Sequence, residues 1–212
     1  KIDLSTGGFT RFVTVGDLDG DGKPDLVTAN ANGTVSVFRN TSSAGSIGFA
    51  AKVDLTVSPQ QVHFVAIGDL DGDGKPDLAL SQIYFQGTSI HTALSVLRNT
   101  SSLGSISFAA QVDYPLGTGV SFSLAIGDID GDGKPDLVAP KSNGTIGYMY
   151  VLRNISTPGT LAFSAAVDFE GGNSQLFVGF GDLDGDGKLD MVTTGEANTI
   201  SIFRNTSSSG SI

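Results

Sequence analysis

Four short segments of this sequence concentrate carboxylates at one fixed spacing: GDLDGDGKPDL from Gly16 and again from Gly68, GDIDGDGKPDL from Gly127, and GDLDGDGKLDM from Gly181. Counted from the first aspartate, acids occupy positions one, three, five and nine. They are Asp17, Asp19, Asp21 and Asp25; Asp69, Asp71, Asp73 and Asp77; Asp128, Asp130, Asp132 and Asp136; and Asp182, Asp184, Asp186 and Asp190. Alternate spacing turns three short carboxylates toward the inside of a tight loop, and glycines such as Gly20 and Gly22 permit the backbone angles it needs. Left bare, carboxylates this close raise each other's pKa and strain the fold. A hard divalent cation relieves them. Calcium takes six to eight oxygens in irregular geometry, and no His or Cys stands among the acids to suit zinc or copper. Magnesium is less suited to an all-protein cage. The expectation is four Ca2+ ions, one per loop, holding the fold together, with four identical spacings hard to explain as plain Asp–Gly turns.

The pattern departs from the helix-flanked calcium loop that ends in Glu at position twelve. Here that position holds Thr28, Leu80, Ala139 and Thr193. The ninth-position aspartate is expected to close the site instead. Position seven, Lys23, Lys75, Lys134 or Lys188, is expected to lend its backbone carbonyl and to turn its ammonium to solvent.

The elements around the loops repeat in step. The leading aspartates are 52, 59 and 54 residues apart. Before each loop stands FVTVGD, FVAIGD, SLAIGD or FVGFGD, and after it DLVTAN, DLALSQ, DLVAPK or DMVTTG. Then come VSVFRNTSS, LSVLRNTSS, MYVLRNIST and ISIFRNTSS, and GFAAKVDL, SFAAQVDY and AFSAAVDF. Short runs rich in Val, Ile, Leu and Phe, bounded by Gly, Asn and Ser, read as strands. NGT at Asn32 and Asn143 is a tight-hairpin signal. Each unit is therefore four strands, A to D, with the acidic loop between A and B. About 50 residues and four strands per unit suits a propeller blade, whose sheet needs neighbours to cover both faces.

The predicted fold class is all-β: a β-propeller of four tandem four-stranded blades, closed as a small ring, forming part of a larger one, or strand-exchanged. The blades fall at about 9–55, 62–115, 121–169 and 175–212. The last lacks its own outer strand, for which residues 1–5 are a candidate.

Bulk composition fits one domain with a real core: 212 residues, 39% hydrophobic, with 29 glycines marking frequent turns. The net charge of −10 argues against nucleic acid and anionic membrane as partners. Sixteen of the 22 acidic residues lie in the four loops, so the acidity belongs to sites, and four divalent ions would bring −10 to −2. No apolar run approaches the ~20 residues of a membrane span. The first residues carry no basic-then-apolar leader, as expected of a mature or excised segment or of a chain without a signal. Zero cysteines leave the compartment open.

The unit resembles the FG-GAP repeat, also described in bacteria as the VCBS repeat, on VGDLDGDGKPDLV (15–27), IGDLDGDGKPDLA (67–79), IGDIDGDGKPDLV (126–138) and FGDLDGDGKLDMV (180–192). It is the blade of integrin alpha-subunit propellers and of some fungal and bacterial lectin-like propellers. The resemblance implies a β-propeller with calcium on Asp17, Asp19, Asp21 and Asp25 and their counterparts, in an extracellular or cell-surface setting. TAN, ALS, VAP and TTG replace the GAP that names the integrin repeat, and RN(T/I)S looks more like bacterial versions, so integrin function does not carry over.

Outside the loops, Arg39, Arg98, Arg153 and Arg204 recur on strand C and Asp54, Asp113 and Asp168 on strand D, with Asp3 near the start; cross-strand or interblade ion pairs are expected. Six Asn-x-Ser/Thr sequons occur, at Asn32, Asn40, Asn99, Asn143, Asn154 and Asn205. Extra residues in the second unit bring Tyr84, Phe85 and His91, candidates for ligand binding on an irregular loop or for packing on a neighbour. An enzyme is not expected: the two histidines, His63 and His91, and the two glutamates, Glu170 and Glu196, form no nucleophile–base arrangement. The expected role is a secreted or surface calcium-binding module for adhesion, taking a glycan or protein ligand. The alternative is a structural subunit of an extracellular filament or matrix, completed by strand exchange between copies. Neither nucleic acid nor membrane insertion is expected.

Overall fold

In the computed structural model the described residues are 1–57, 61–144, 146–172, 175–195 and 198–212; Glu196 and the sequon residue Thr145 lie outside them. The described chain is all strand and turn, in four antiparallel sheets, each an up-and-down meander. The first sheet holds β1 (Thr10–Gly16), β2 (Asp25–Asn30), β3 (Thr34–Phe38) and β4 (Val53–Thr56). The second holds β5 (Gln61–Gly68), β6 (Asp77–Gln86), β7 (Ser89–Leu97) and β8 (Val112–Thr118). The third holds β9 (Ala125–Gly127), β10 (Asp136–Ser142), β11 (Gly147–Leu152) and β12 (Val167–Gly172). The fourth has three strands: β13 (Gln175–Gly181), β14 (Asp190–Gly195) and β15 (Ile200–Phe203).

The second strand of each of the first three sheets is the most buried, and in the second and third sheets neighbouring sheets cover both its faces. Side-chain alternation divides the labour. From β6, Leu78 and Leu80 join Val27, Val35 and Val37 in a core between the first and second sheets. Ala79 from the same strand joins Leu94 and Val96 against Leu124, Leu137 and Leu152 of the third. A third core places Val138, Met149 and Val151 against Met191, Val178 and Phe180. Each fully buried Leu or Val contributes about 1.5–3 kcal/mol, so the sheets are held chiefly by one another.

The glycine ending each first strand is a seat for the next sheet. A Cβ on Gly16 would lie 3.2 Å from Ile67, one on Gly68 3.2 Å from Ile126, and one on Gly127 2.8 Å from the Phe180 ring. Packing runs from first to second, second to third and third to fourth sheet. Among the described residues the fourth sheet does not close onto the first. Residues 1–9 lie outside any strand, where the Thr6 carbonyl accepts from Ser36 Oγ and Lys52 Nζ of the first sheet. Among the described residues no helix is long and apolar enough to cross a membrane.

The expected arginine–aspartate pairing along the outer strands is replaced by another. Asp54 sits opposite Ser36 in the β3–β4 register and accepts from its hydroxyl and from Lys52. Asp113 likewise takes Ser95 and Gln111, and Asp3 takes Lys1. The arginines follow the last residue of the third strand, so they reach the acidic loop at that end rather than the aspartates inside the ladder.

A candidate metal centre in each acidic loop

The loop chain leaves the first strand at Gly16 and re-enters at Asp25, so eight residues turn through almost 180° and the side chains between must look inward. Gly20 and Gly22 hold φ of +75° and +81°, a region closed to most side chains. The Asp17 carboxylate organises the turn, accepting from Gly20 N (2.9 Å), Asp21 N (3.2 Å) and Gly22 N (2.8 Å). Asp25 ties its two ends. It accepts from Leu18 N at 2.9 Å within the loop and from Asn40 N at 2.7 Å beyond the third strand. Asp77, Asp136 and Asp190 make the same pair of bonds, to Leu70 and Asn99, Ile129 and Asn154, and Leu183 and Asn205.

Positions one, three and nine converge. In each of the groups Asp17–Asp19–Asp25, Asp69–Asp71–Asp77, Asp128–Asp130–Asp136 and Asp182–Asp184–Asp190, one oxygen per residue lies within 4.8 Å of the others. Position five stands apart, bent toward the strand-C arginine. Arg39 lies 3.7 Å from Asp19 and 3.8 Å from Asp21, and Arg98 3.7 Å from Asp73. Arg153 approaches Asp130 at 2.6 Å and Asp132 at 3.1 Å, and Arg204 repeats this with Asp184 and Asp186. Three of the four seventh-position lysines turn to protein carbonyls rather than to solvent alone, a correction to expectation. Lys75, Lys134 and Lys188 donate to the carbonyls of Ser101, Ser156 and Ser207, within reach because the strand C–D hairpin folds over the loop.

The residues fit a divalent ion by charge and by donor chemistry. Each loop carries four carboxylates against one lysine and one arginine, a balance of −2. Every side-chain donor in the converging trio is an oxygen, as a hard cation prefers. Burial and the neighbouring third- and fifth-position carboxylates push Asp77 and Asp136 up to about 6, against the backbone bonds that favour the charged form. Burial raises Asp25 as well. An ionised carboxylate in that position calls for a positive partner, and the arginines engage positions three and five.

Sequence reasoning missed what the asparagine after each arginine does. Asn99 Nδ2 donates to Pro76 O of its own loop (2.8 Å) and to Leu18 O of the preceding sheet's loop (2.9 Å). Asn154 bridges Pro135 and Leu70, and Asn205 bridges Leu189 and Ile129. Five residues further on, in the hairpin, Gly104, Gly159 and Gly210 donate to Asp19, Asp71 and Asp130 of the preceding loop. These sequon asparagines, with Asn40, are buried, and their amides are committed to the fold. The available signal was a constant one: Arg-Asn stays paired in all units while the hairpin before it varies in length.

At the opposite end of the sheets, Tyr84 and His91 face each other across β6–β7 and stack at 5.3 Å. Phe85 projects outward beside Ile90, both exposed. Ile90 borders a groove of about 450 Å³ with Thr118, Val120 and Ser142. His63 is packed near Phe122, its Nε2 buried without a hydrogen-bond partner, and burial lowers its pKa to about 4.

A tandem all-β repeat with an acidic loop between the first two strands of every unit defines the class of protein. The chain belongs to the FG-GAP-like repeat family, whose sequence profile matches residues 2–80 and 83–139. Cartilage acidic protein 1 of Homo sapiens and that of Xenopus tropicalis are each 27% identical to it over 129 residues, 60% of this chain. The match spans 20% of the length of those relatives.

Proposed function

We propose that this chain is a calcium-stabilised β-propeller module of an extracellular or cell-surface protein, serving adhesion through a glycan or protein ligand and having no catalytic activity of its own. The observation that carries the reading is the fourfold convergence of three carboxylate oxygens in loops whose ninth-position acids are buried. Bound calcium would be held by positions one, three and nine of each loop, and a modest swing of the fifth-position acid away from its arginine would add a fourth carboxylate. The ion would neutralise the loop and lock the first two strands together, and through Asn99 and its counterparts the lock extends to the next sheet.

Membership of the FG-GAP-like family supports the propeller and the adhesive role, and the cartilage relatives support an extracellular setting. Millimolar calcium outside cells would fill such loops at moderate affinity. The groove beside Ile90 and the exposed Phe85 form the candidate ligand surface, on a rigid scaffold remote from the metal loops. Equilibrium dialysis with calcium, followed by melting in calcium and in chelator, tests the metal reading. The expected result is four ions per chain and a melting temperature that falls on chelation. Fewer than one ion per chain with unchanged melting would refute it. Glycan and matrix-protein binding, compared between the native chain and Phe85→Ser, tests the ligand surface.

A further inference from the structure

Each acidic loop has a cation of the chain's own beside it, and we infer that the arginine after strand C competes with calcium for the third- and fifth-position carboxylates, so that this residue sets the affinity of the site. The inference rests on the calcium reading above and deepens it, by naming what the ion must displace.

The fold delivers the arginine to the loop. Arg39, Arg98 and Arg153 each stand one residue past the end of the third strand. Their backbone carbonyls accept from Ala50, Ala109 and Ser164 N at 2.8–2.9 Å, and the amide of the asparagine that follows donates to the ninth-position acid. The main chain on both sides is therefore tied down, and only the side chain is free to move. In the third loop the guanidinium is two-pronged: Nε donates to Asp130 at 2.6 Å and Nη2 to Asp132 at 3.1 Å.

The same oxygens are wanted twice. Asp130 belongs to the converging trio with Asp128 and Asp136 and also takes Arg153. The fifth-position acid commits Oδ1 to the lysine amide two residues on, in all four loops. Its Oδ2 faces the arginine in all four as well, at 3.1–3.8 Å. That oxygen is the one a calcium ion would recruit to complete its shell. Lys75, Lys134 and Lys188 do not contest it, since they donate to carbonyls instead. The two partners differ in their freedom to leave. The Arg39, Arg98 and Arg153 side chains are 30%, 30% and 31% exposed, so a guanidinium has water to swing into. The Asp19 and Asp130 side chains are 0% exposed and cannot exchange a cation for a hydration shell.

One residue thus acts in two directions. It neutralises part of the carboxylate cluster and lets the loop fold where calcium is scarce. It also opposes the ion, and repulsion between a guanidinium and a divalent ion a few ångströms apart in a water-like dielectric is worth roughly tenfold in affinity.

Arg153→Gln removes the charge, Arg153→Lys keeps it, and Arg98→Gln repeats the test in a second loop. In equilibrium dialysis one of the bound ions should bind about tenfold tighter to each Gln variant than to the native chain, and Arg153→Lys should stay near native affinity. In urea denaturation the Gln variants should be less stable than native in chelator, with the loss shrinking in saturating calcium. Unchanged or weaker calcium binding overturns the inference. So does an equal loss of stability with and without calcium, the mark of an arginine that only ties the hairpin to the loop. Should a Gln variant be unfolded in chelator, its melting in calcium decides: a recovered fold supports the inference, and a chain unfolded in both overturns it. A native chain that binds no calcium refutes the metal reading along with this one. Four ions bound with the same affinity by native and variant chains refute the arginine's role alone.

Discussion

Calcium should stabilise this chain far more at neutral pH than in mild acid, and the structure sets the size of the difference. Asp77 and Asp136 have folded pKa values near 6 against an ordinary 3.8. For an acid raised in this way, stability is fully present below 3.8 and is lost as pH rises through about 6, because the native state holds the proton more tightly. Calcium requires the ionised form. At pH 4.5 an ion entering either loop must displace a proton held about 1.5 units above ambient, costing about 2 kcal/mol per loop; at pH 7 that cost vanishes. Over both loops the calcium increment should therefore grow by about 4 kcal/mol between pH 4.5 and 7. His63 complicates any single curve. Its pKa is lowered to about 4, so its contribution is present above 6.5 and is lost as pH falls through 4, opposite in sense to the aspartates. It lies outside the loops, so it cancels when the chelated curve is subtracted from the calcium curve. The Asp184 carboxyl is held low by Arg204, and being at the surface it adds little. Urea denaturation at the two pH values, each in calcium and in chelator, measures the increment. An increment equal at both would refute the placing of calcium on the ninth-position acids.

Asp69→Asn removes a charge from one converging trio, so calcium stoichiometry by equilibrium dialysis should fall by one ion per chain. Asn99→Ala leaves the carbonyls of Leu18 and Pro76 without their donor and Ser101 N without its acceptor and should lower urea stability by about 2–4 kcal/mol. Asn40→Ala, which frees Pro24 O and Ser42 N but no carbonyl of another loop, should cost less. Gly127→Ala places a methyl 2.8 Å from the Phe180 ring and should cost about 1–3 kcal/mol through overpacking. Gly181→Ala, whose added methyl meets only the Leu183 side chain at an ordinary 3.7 Å, should leave the melting temperature unchanged.

What the sequence discloses here follows from the range of the forces involved. Strands and loops are local. Alternation in FVTVGD, the glycines at Gly20 and Gly22 and the Asp spacing act within a dozen residues, and they specify sheet and turn without reference to the rest of the chain. The arginine's partner is not local. Composition offered Arg39 both Asp54 and the loop acids, and the deciding fact is register: Asp54 pairs with Ser36, while Arg39 stands one residue past the ladder, beside Asp19 and Asp21. The destination of the seventh-position lysine was hidden for the same reason, since the Ser101 carbonyl arrives only once the hairpin has folded back. The asparagines mislead in another way. As Asn-x-Ser/Thr they look like surface acceptors, yet Asn99, Asn154 and Asn205 carry the polar contact between successive units. A contact between adjacent copies of a repeat leaves a mark on both partners in every unit, so invariance at Gly16, Leu18 or Ile129, Val15 or Phe180, and Asn40 is the record of the interface.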